Sequence, residues 1–256
     1  MEAVTRRPYQ GVFNVVRFNW HFYVFAGAAI LLLLFASTYT DNLVFWSCIG
    51  LAISAVASSF ISLLVTHYVY DRSELYDFGW LHPINKSRIR KVVNVHAGFD
   101  ETSSTLERNF PDAALHVFDF YNATRHTEVS IERARKAYPP YPGTVKVTTS
   151  RLPMADESVD IIFNIFALHE VRDAHERISF IKEQFRALRS DGKVVIVEHL
   201  RDVPNFMAYN IGFFHFLPWR EWSACFRRAG FSVDKRFKVT PFITVIILRK
   251  PDGNTH

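Results

Sequence analysis

The chain has 256 residues, with 30 Lys and Arg against 25 Asp and Glu and only two cysteines, a length that suits one large domain or a medium domain with an appendage. Cys48 and Cys225 are too separated to suggest a disulfide or a metal site, so no metal is expected. The net charge of +5 comes without a basic, aromatic-interleaved cluster, so nucleic acid is not an expected partner.

No residue carries a formal charge between Arg17 and Asp41, or between Asp41 and Asp71. About 20 apolar residues cross a hydrocarbon core of roughly 30 Å. Residues 18–40 and 42–70 therefore predict an antiparallel membrane hairpin turning at "TYTDN". Arg6, Arg7 and Arg17 precede it and Arg72, Lys86, Arg88, Arg90 and Lys91 follow, which places both ends, and the rest of the chain, on the cytoplasmic face of the membrane. A basic rim of this kind suits anionic lipid. Gly50, Ser54 and Ser58 repeat every four residues, a spacing for close contact with the first helix or with a second copy in a homodimer. Trp20, Phe22, Tyr23, Tyr68 and Tyr70 suit interfacial anchoring. An export signal at Arg6 and Arg7 is disfavoured by the distance to the apolar run and by the second span. The chain divides into an anchor (1–70), an amphipathic connection at the membrane surface (71–89, containing "DRSELYDFGWLH") and a globular domain (90–256).

In the globular part strands and helices alternate. "KVVNVHA", "ALHVFDFY", "VKVTTS", "SVDIIFNIFAL" and "KVVIVEHL" read as five strands. Between them, "SSTLERNF", "TEVSIERARKAYP" and "DAHERISFIKEQFRAL" carry helical spacing. "PWREWSACFRRAG" predicts a last helix, and "FSVDKRFKV" and "FITVIILRK" a closing antiparallel hairpin. The expected class is α/β with a mainly parallel, Rossmann-like sheet, its ligand at the carboxyl ends of the strands. A nucleotide-binding dehydrogenase is disfavoured by the missing spaced glycines and the missing Tyr-x-x-x-Lys pair.

The stretches "SRLPMADESVDIIFNIFALHEVRD", "RALRSDGKVVIVEH" and "REWSACFRRAGF" resemble the class I S-adenosylmethionine-dependent methyltransferases over about residues 90–250. The resemblance implies S-adenosylmethionine as cofactor. It places the methionine moiety near His96 and Gly98, the ribose on Asp119, and adenine against Phe120 or Tyr121 and the backbone of Ser150, Arg151 and Leu152. Asn164 is expected to face the methyl-donor pocket. The first loop departs from the family: Asn94 replaces the usual acid, and Gly98 is the only glycine left. His169, Glu170 and His126 are the candidates for an acid–base role, a neutral histidine taking the acceptor's proton; Glu198 and His199 are further candidates. The aromatic insert "NFMAYNIGFFHFLPW" suits a hydrophobic acceptor, and O-methylation of a hydroxylated aromatic such as a quinone precursor or polyene head group is the expected reaction. "YQGVFNVVRFNWHFY" is also similar to membrane-anchored methyltransferases accompanying bacterial aryl-polyene pigment pathways. The alternative is a non-catalytic, membrane-tethered scaffold. The hairpin is expected only to tether, so that a chain beginning near Asp71 keeps its activity on a water-soluble acceptor.

Overall fold

The structure, a computed structural model, describes residues 6–125 and 128–251. His126 therefore lies outside the described residues. The chain opens with α1 (Gln10–Phe18), a helix not expected from the sequence, followed by α2 (Trp20–Ser37) and α3 (Asn42–His67). Both α2 and α3 are long and apolar enough to cross a membrane, and only 6% of each apolar stretch is buried within the protein. Phe25, Leu31, Leu32, Leu51, Ile53 and Phe60 all point outward. Gly50 and Ser54 are also exposed and do not pack on α2, whereas Ser58 accepts a hydrogen bond from Asn210 Nδ2 at 2.7 Å.

A π-helical turn, Tyr68–Arg72, carries α3 into the globular part. There the elements run β1 (Lys91–His96), α4 (Ser103–Asn109), β2 (Ala114–Asp119), α5 (Val129–Ala137), β3 (Val145–Lys146), β4 (Val159–Ile165), α6 (Ala174–Ala187), β5 (Leu188–His199), α7 (Val203–Tyr209), α8 (Trp219–Arg228), β6 (Ser232–Thr240) and β7 (Ile243–Arg249). The seven strands form one sheet in the order β3-β2-β1-β4-β5-β7-β6. β1 to β5 are parallel, and β7 is antiparallel to both β5 and β6, as the closing hairpin predicts. β3 is only two residues long, an edge strand that leaves the sheet for the Thr148–Arg151 bridge. β5 starts at Leu188, before the Ser-Asp-Gly turn, with a register shift against β4.

Period-two alternation divides the core, because successive side chains leave opposite faces of a strand. Val93, Val95, Ile162, Val194 and Ile196 pack with Phe180, Trp222 and Phe226 of α6 and α8. Val92, Ile161, Phe163, Val195 and Val197 pack on the other face with Leu106, Phe110, Leu75, Phe78, Trp80 and Leu81. The last four come from the segment expected to lie amphipathically on the membrane. It is instead a covering layer of the sheet: Leu75, Phe78 and Leu81 are at most 2% exposed, and the Trp80 indole donates to the Leu75 carbonyl at 2.8 Å. Its apolar residues are close in number to its charges, so sequence spacing alone does not say which apolar phase, lipid or protein core, takes them.

Candidate active site

The order of strands reverses between β1 and β4, where an open α/β sheet leaves a crevice at its carboxyl edge. A cavity of about 240 Å³ occupies that place, lined by His96 at the end of β1, Ile165 at the end of β4 with Phe166 after it, and His199 at the end of β5. Its opposite wall is built by the N-terminal segment: Gly11, Asn14 and Phe18 of α1, together with Tyr70 and Tyr76.

That wall is fixed by hydrogen bonds. The Asp71 carboxylate accepts from the Gly11 and Val12 amides at 2.6 and 3.0 Å, satisfying two of the donors that a helix start leaves unpaired. Gly11 is required there, since a Cβ on it would lie 2.4 Å from Tyr70 Cβ. Tyr138 donates to Asn14 Oδ1 at 2.8 Å, and Arg133 of α5 donates to the Phe18 carbonyl at 2.6 Å. Glu101 accepts from Arg6, Gln10 and Tyr76. The expectation that the N-terminal helices only tether is thus contradicted in geometry: the segments flanking α2 and α3 supply one wall of the cavity. Tyr70, expected at the lipid interface, turns inward.

Tyr70 Oη lies 2.7 Å from His199 Nε2, and His199 Nδ1 lies 2.9 Å from Asn205 Oδ1. The Asn205 amide nitrogen is committed to Asp202 Oδ1 and the Phe242 carbonyl, so its oxygen is the acceptor for His199. His199 therefore carries its proton on Nδ1, and its Nε2 accepts from the Tyr70 hydroxyl. Burial holds the His199 pKa down at about 4, against a weaker raising by the Asn205 hydrogen bond, and the imidazole is neutral at pH 7.

His169 has the opposite character. Its Nδ1 is 2.7 Å from Glu198 Oε2 and its Nε2 is 3.0 Å from Glu170 Oε1. Burial alone lowers its pKa, but the two carboxylates outweigh burial and raise it to about 10. His169 is an imidazolium at neutral pH and offers no lone pair, which corrects its expected role as a neutral base. Glu170 has its own pKa lowered, burial opposing and the His169 charge prevailing, so it is a weak base.

The residues expected to hold the cofactor divide. His96 lines the cavity, and Gly98, Asp119 and Tyr121 gather beside it. Gly98 has φ +95°, a conformation that costs glycine little, and its amide donates to His96 Nδ1 at 3.0 Å. Asp119 Oδ1 accepts from the Tyr121 amide at 2.9 Å, and Oδ2 pairs with Arg135 at 2.5 Å. Arg135 also donates to the Gly98 carbonyl and stacks over the Tyr121 ring at 4.6 Å.

The remaining residues are elsewhere. Phe120 packs on Phe180 at 5.1 Å in the core, on the same face of the chain as Phe118, so it is not available to adenine. Asn164 shares the face of Ile162 and exchanges two hydrogen bonds with Gln184 of α6, at 2.9 and 3.0 Å, away from the cavity. Leu152 is in the core with its amide on Glu183, while Ser150 and Arg151 are exposed. Tyr70, Tyr76, Asn14 and Glu101 were not among the expected site residues; only the polarity of Asn14 and the two tyrosines at the edge of the apolar runs marked them.

Residues 103–196 match the model of a methyltransferase domain family. No curated protein matches the chain. Among solved structures it is similar to the pyocyanin biosynthetic protein PhzM, with a TM-score of 0.50, 15% identity, 81% of this chain covered and 58% of that one. It is similar to LaPhzM at a TM-score of 0.50 and 14% identity, covering 88% and 70%. A methyltransferase from Aquifex aeolicus gives a TM-score of 0.49 and 16% identity over 75% and 97%. The chain has the Rossmann-like fold of the class I S-adenosylmethionine-dependent methyltransferases. The cofactor that family model and fold indicate is S-adenosylmethionine.

The residues present fit that group. Burial lowers the His96 pKa, and its Nδ1 accepts from Gly98, so Nε2 carries the proton; this atom is buried at the cavity wall without a partner among the described residues. An orphaned donor there suits the carboxylate of the methionine moiety. Asp119 offers a buried carboxylate for the ribose hydroxyls, provided Arg135 releases it. Replacing Asp119 with Ala is expected to weaken S-adenosylmethionine binding at least tenfold, at about 1.5–3 kcal/mol per charge-assisted hydrogen bond. Arg135→Gln is expected to tighten binding, because the competitor for the same oxygen is gone. Calorimetric titration of both variants checks the pair; tighter binding by Asp119→Ala would contradict it.

Proposed function

We propose that this chain is a membrane-anchored methyltransferase that O-methylates a lipophilic, hydroxylated aromatic acceptor at the cytoplasmic face. The observation that carries the reading is the shared wall: the segments flanking α2 and α3 also line the cavity, so an acceptor dissolved in the bilayer reaches it at the membrane surface. Exposed Val203, Phe206, Met207, Ile211 and Phe214 extend the apolar surface beside α3, where Asn210 meets Ser58, as expected of a face that dips into lipid. Phe18, Phe99, Phe166 and Phe216 give the cavity an aromatic lining.

When bound, the cofactor supplies an electrophilic methyl group for in-line displacement. The chain's own part is alignment and proton removal. An acceptor hydroxyl that donates to Tyr70 Oη passes its proton there as the Tyr70 proton moves to His199 Nε2. The acceptor oxygen would take the methyl group that the sulfonium supplies, with the thioether as leaving group, and the proton ends on His199. Because His199 is a weak base, proton loss accompanies O–C bond formation, when the methylated oxygen becomes far more acidic than the free hydroxyl. Asn205 holds the imidazole in the required tautomer.

The test uses full-length protein in membranes, with methyl-labelled S-adenosylmethionine and an organic extract of the host. Label in a lipid-soluble product heavier by one methylene unit is expected. Saturable cofactor binding with label only in water-soluble products would refute the acceptor class, and no binding at millimolar cofactor would favour the non-catalytic scaffold.

A further inference from the structure

Beside the cavity, two 3-10 turns bring together residues that no part of the methyl-transfer reading uses as a set. His169 and Glu170 lie on the turn Leu168–Glu170, and His215 ends the turn Asn210–His215. One ligand atom from each lies within 4.8 Å of the others. Glu170 Oε1 is 3.0 Å from His169 Nε2 and 3.8 Å from His215 Nε2. Ligands at about 2.0–2.2 Å from one ion are separated by roughly 3–4 Å, so Glu170 already stands at ligand spacing from both imidazoles, and any remaining gap between the two rings closes by a side-chain adjustment of up to about 1 Å.

We propose that His169 Nε2, His215 Nε2 and Glu170 form a binding site for a divalent first-row transition ion. Two further observations point to a ligand. Glu170 is 4% exposed, and its Oε2 is buried with no hydrogen-bond partner among the described residues, an unsatisfied acceptor at the centre of the cluster. His169 also has the outer partner that ligating histidines commonly have: its Nδ1 faces Glu198, which is 1% exposed, so Nε2, paired with Glu170 in the ion-free protein, is the atom turned toward the site. The carboxylates of Glu128, Glu170 and Glu198 surround two imidazoles. With Arg172 withdrawn such a set favours a cation, and the ion would take the place of the hydrogen bond between His169 Nε2 and Glu170 Oε1. Two nitrogens and a carboxylate select Zn²⁺, Fe²⁺ or Mn²⁺ over Mg²⁺ or Ca²⁺, which prefer all-oxygen ligands.

One group opposes the ion. The Arg172 guanidinium contacts both ring nitrogens of His215, Nε2 at 2.7 Å, and must withdraw toward Glu128, 3.4 Å away, before Nε2 can ligate. Three protein ligands leave coordination positions open, and His169 and Glu170 both border the cavity. An oxygen of the acceptor fits there, a role that rests on the proposed function; the ion site itself does not.

The experiment is a titration of tag-free, full-length protein in nanodiscs after chelator treatment. Zn²⁺ binding is read by calorimetry and Co²⁺ binding by visible absorption, so neither reading depends on methyl transfer. One ion per chain is expected, with at least tenfold weaker binding in His215→Ala and in Glu170→Gln, no change in His175→Ala, and no uptake of Mg²⁺. His215 is partly exposed, so His215→Ala decides the matter even where Glu170→Gln fails to fold. Absence of saturable binding, or binding unaffected by His215→Ala, overturns the site and leaves a proton-bridged network only.

Discussion

Tyr70→Phe is expected to lower kcat on the order of 10²-fold while leaving the dissociation constant of S-adenosylmethionine unchanged. The hydroxyl is the only part of the side chain that the substitution removes, and it is the group 2.7 Å from His199 Nε2. The ring keeps its edge contact with Phe166 at 6.0 Å, so the cavity wall stays in place. The cofactor's expected contacts, His96, Gly98 and Asp119, belong instead to β1, the loop that follows it and β2. His199→Asn is expected to lose a similar factor. The double variant should lose little more than either alone, because both interrupt one proton path. Single-turnover rates with saturating cofactor check this. A normal rate with a lowered melting temperature would make the Tyr70–His199 hydrogen bond structural only.

The second large effect is acid lability. His199 has a folded pKa of about 4 against an ordinary value of 6.5. Between those values the unfolded chain binds a proton that the folded chain refuses, so stability rises with pH across this window and is lost as pH falls from about 6.5 toward 4. The full loss from this one group is on the order of 3 kcal/mol. Glu170, with its pKa lowered, acts in the same direction at lower pH. The difference between wild type and His199→Asn therefore isolates the histidine. Urea denaturation in nanodiscs at pH 7 and pH 4.5 should give a clearly smaller pH dependence for the variant. Equal slopes would show that His199 accepts its proton in the folded state at no cost.

The class of fold was legible in sequence because its signals are local. β1, β4 and β5 carry the short apolar stretches Val92–Val93, Ile161–Phe163 and Val194–Val197, as strands buried on both faces must, and Gly230 at φ +93° ends the last helix where the sequence places its stop. The two uncharged runs emerge as the exposed helices α2 and α3 for the same reason: composition alone decides that their surface is apolar. At the site, His96, Gly98 and Asp119 come together as expected, since strand ends bring register partners side by side; His96 and Asp119 are direct partners of β1 and β2.

What sequence did not determine is where a side chain points once its strand is placed, and which distant segment meets it. Asn164 and Phe120 sit at the expected ends of strands, yet strand parity turns both away from the cavity and into the packing around α6. The protonation of His169 was unreadable for another reason. Glu198 is 29 residues away and reaches His169 only because β4 and β5 are neighbours, and charges at 3 Å in a buried site outweigh the intrinsic pKa. Tyr70 meets His199 across 129 residues, a contact made when α1 and the π-helical turn fold over the strand ends. Local composition specified two apolar helices and a sheet. The tertiary structure alone joined them into one cavity, because hydrogen bonds and packing between segments far apart in the chain carry no local signature.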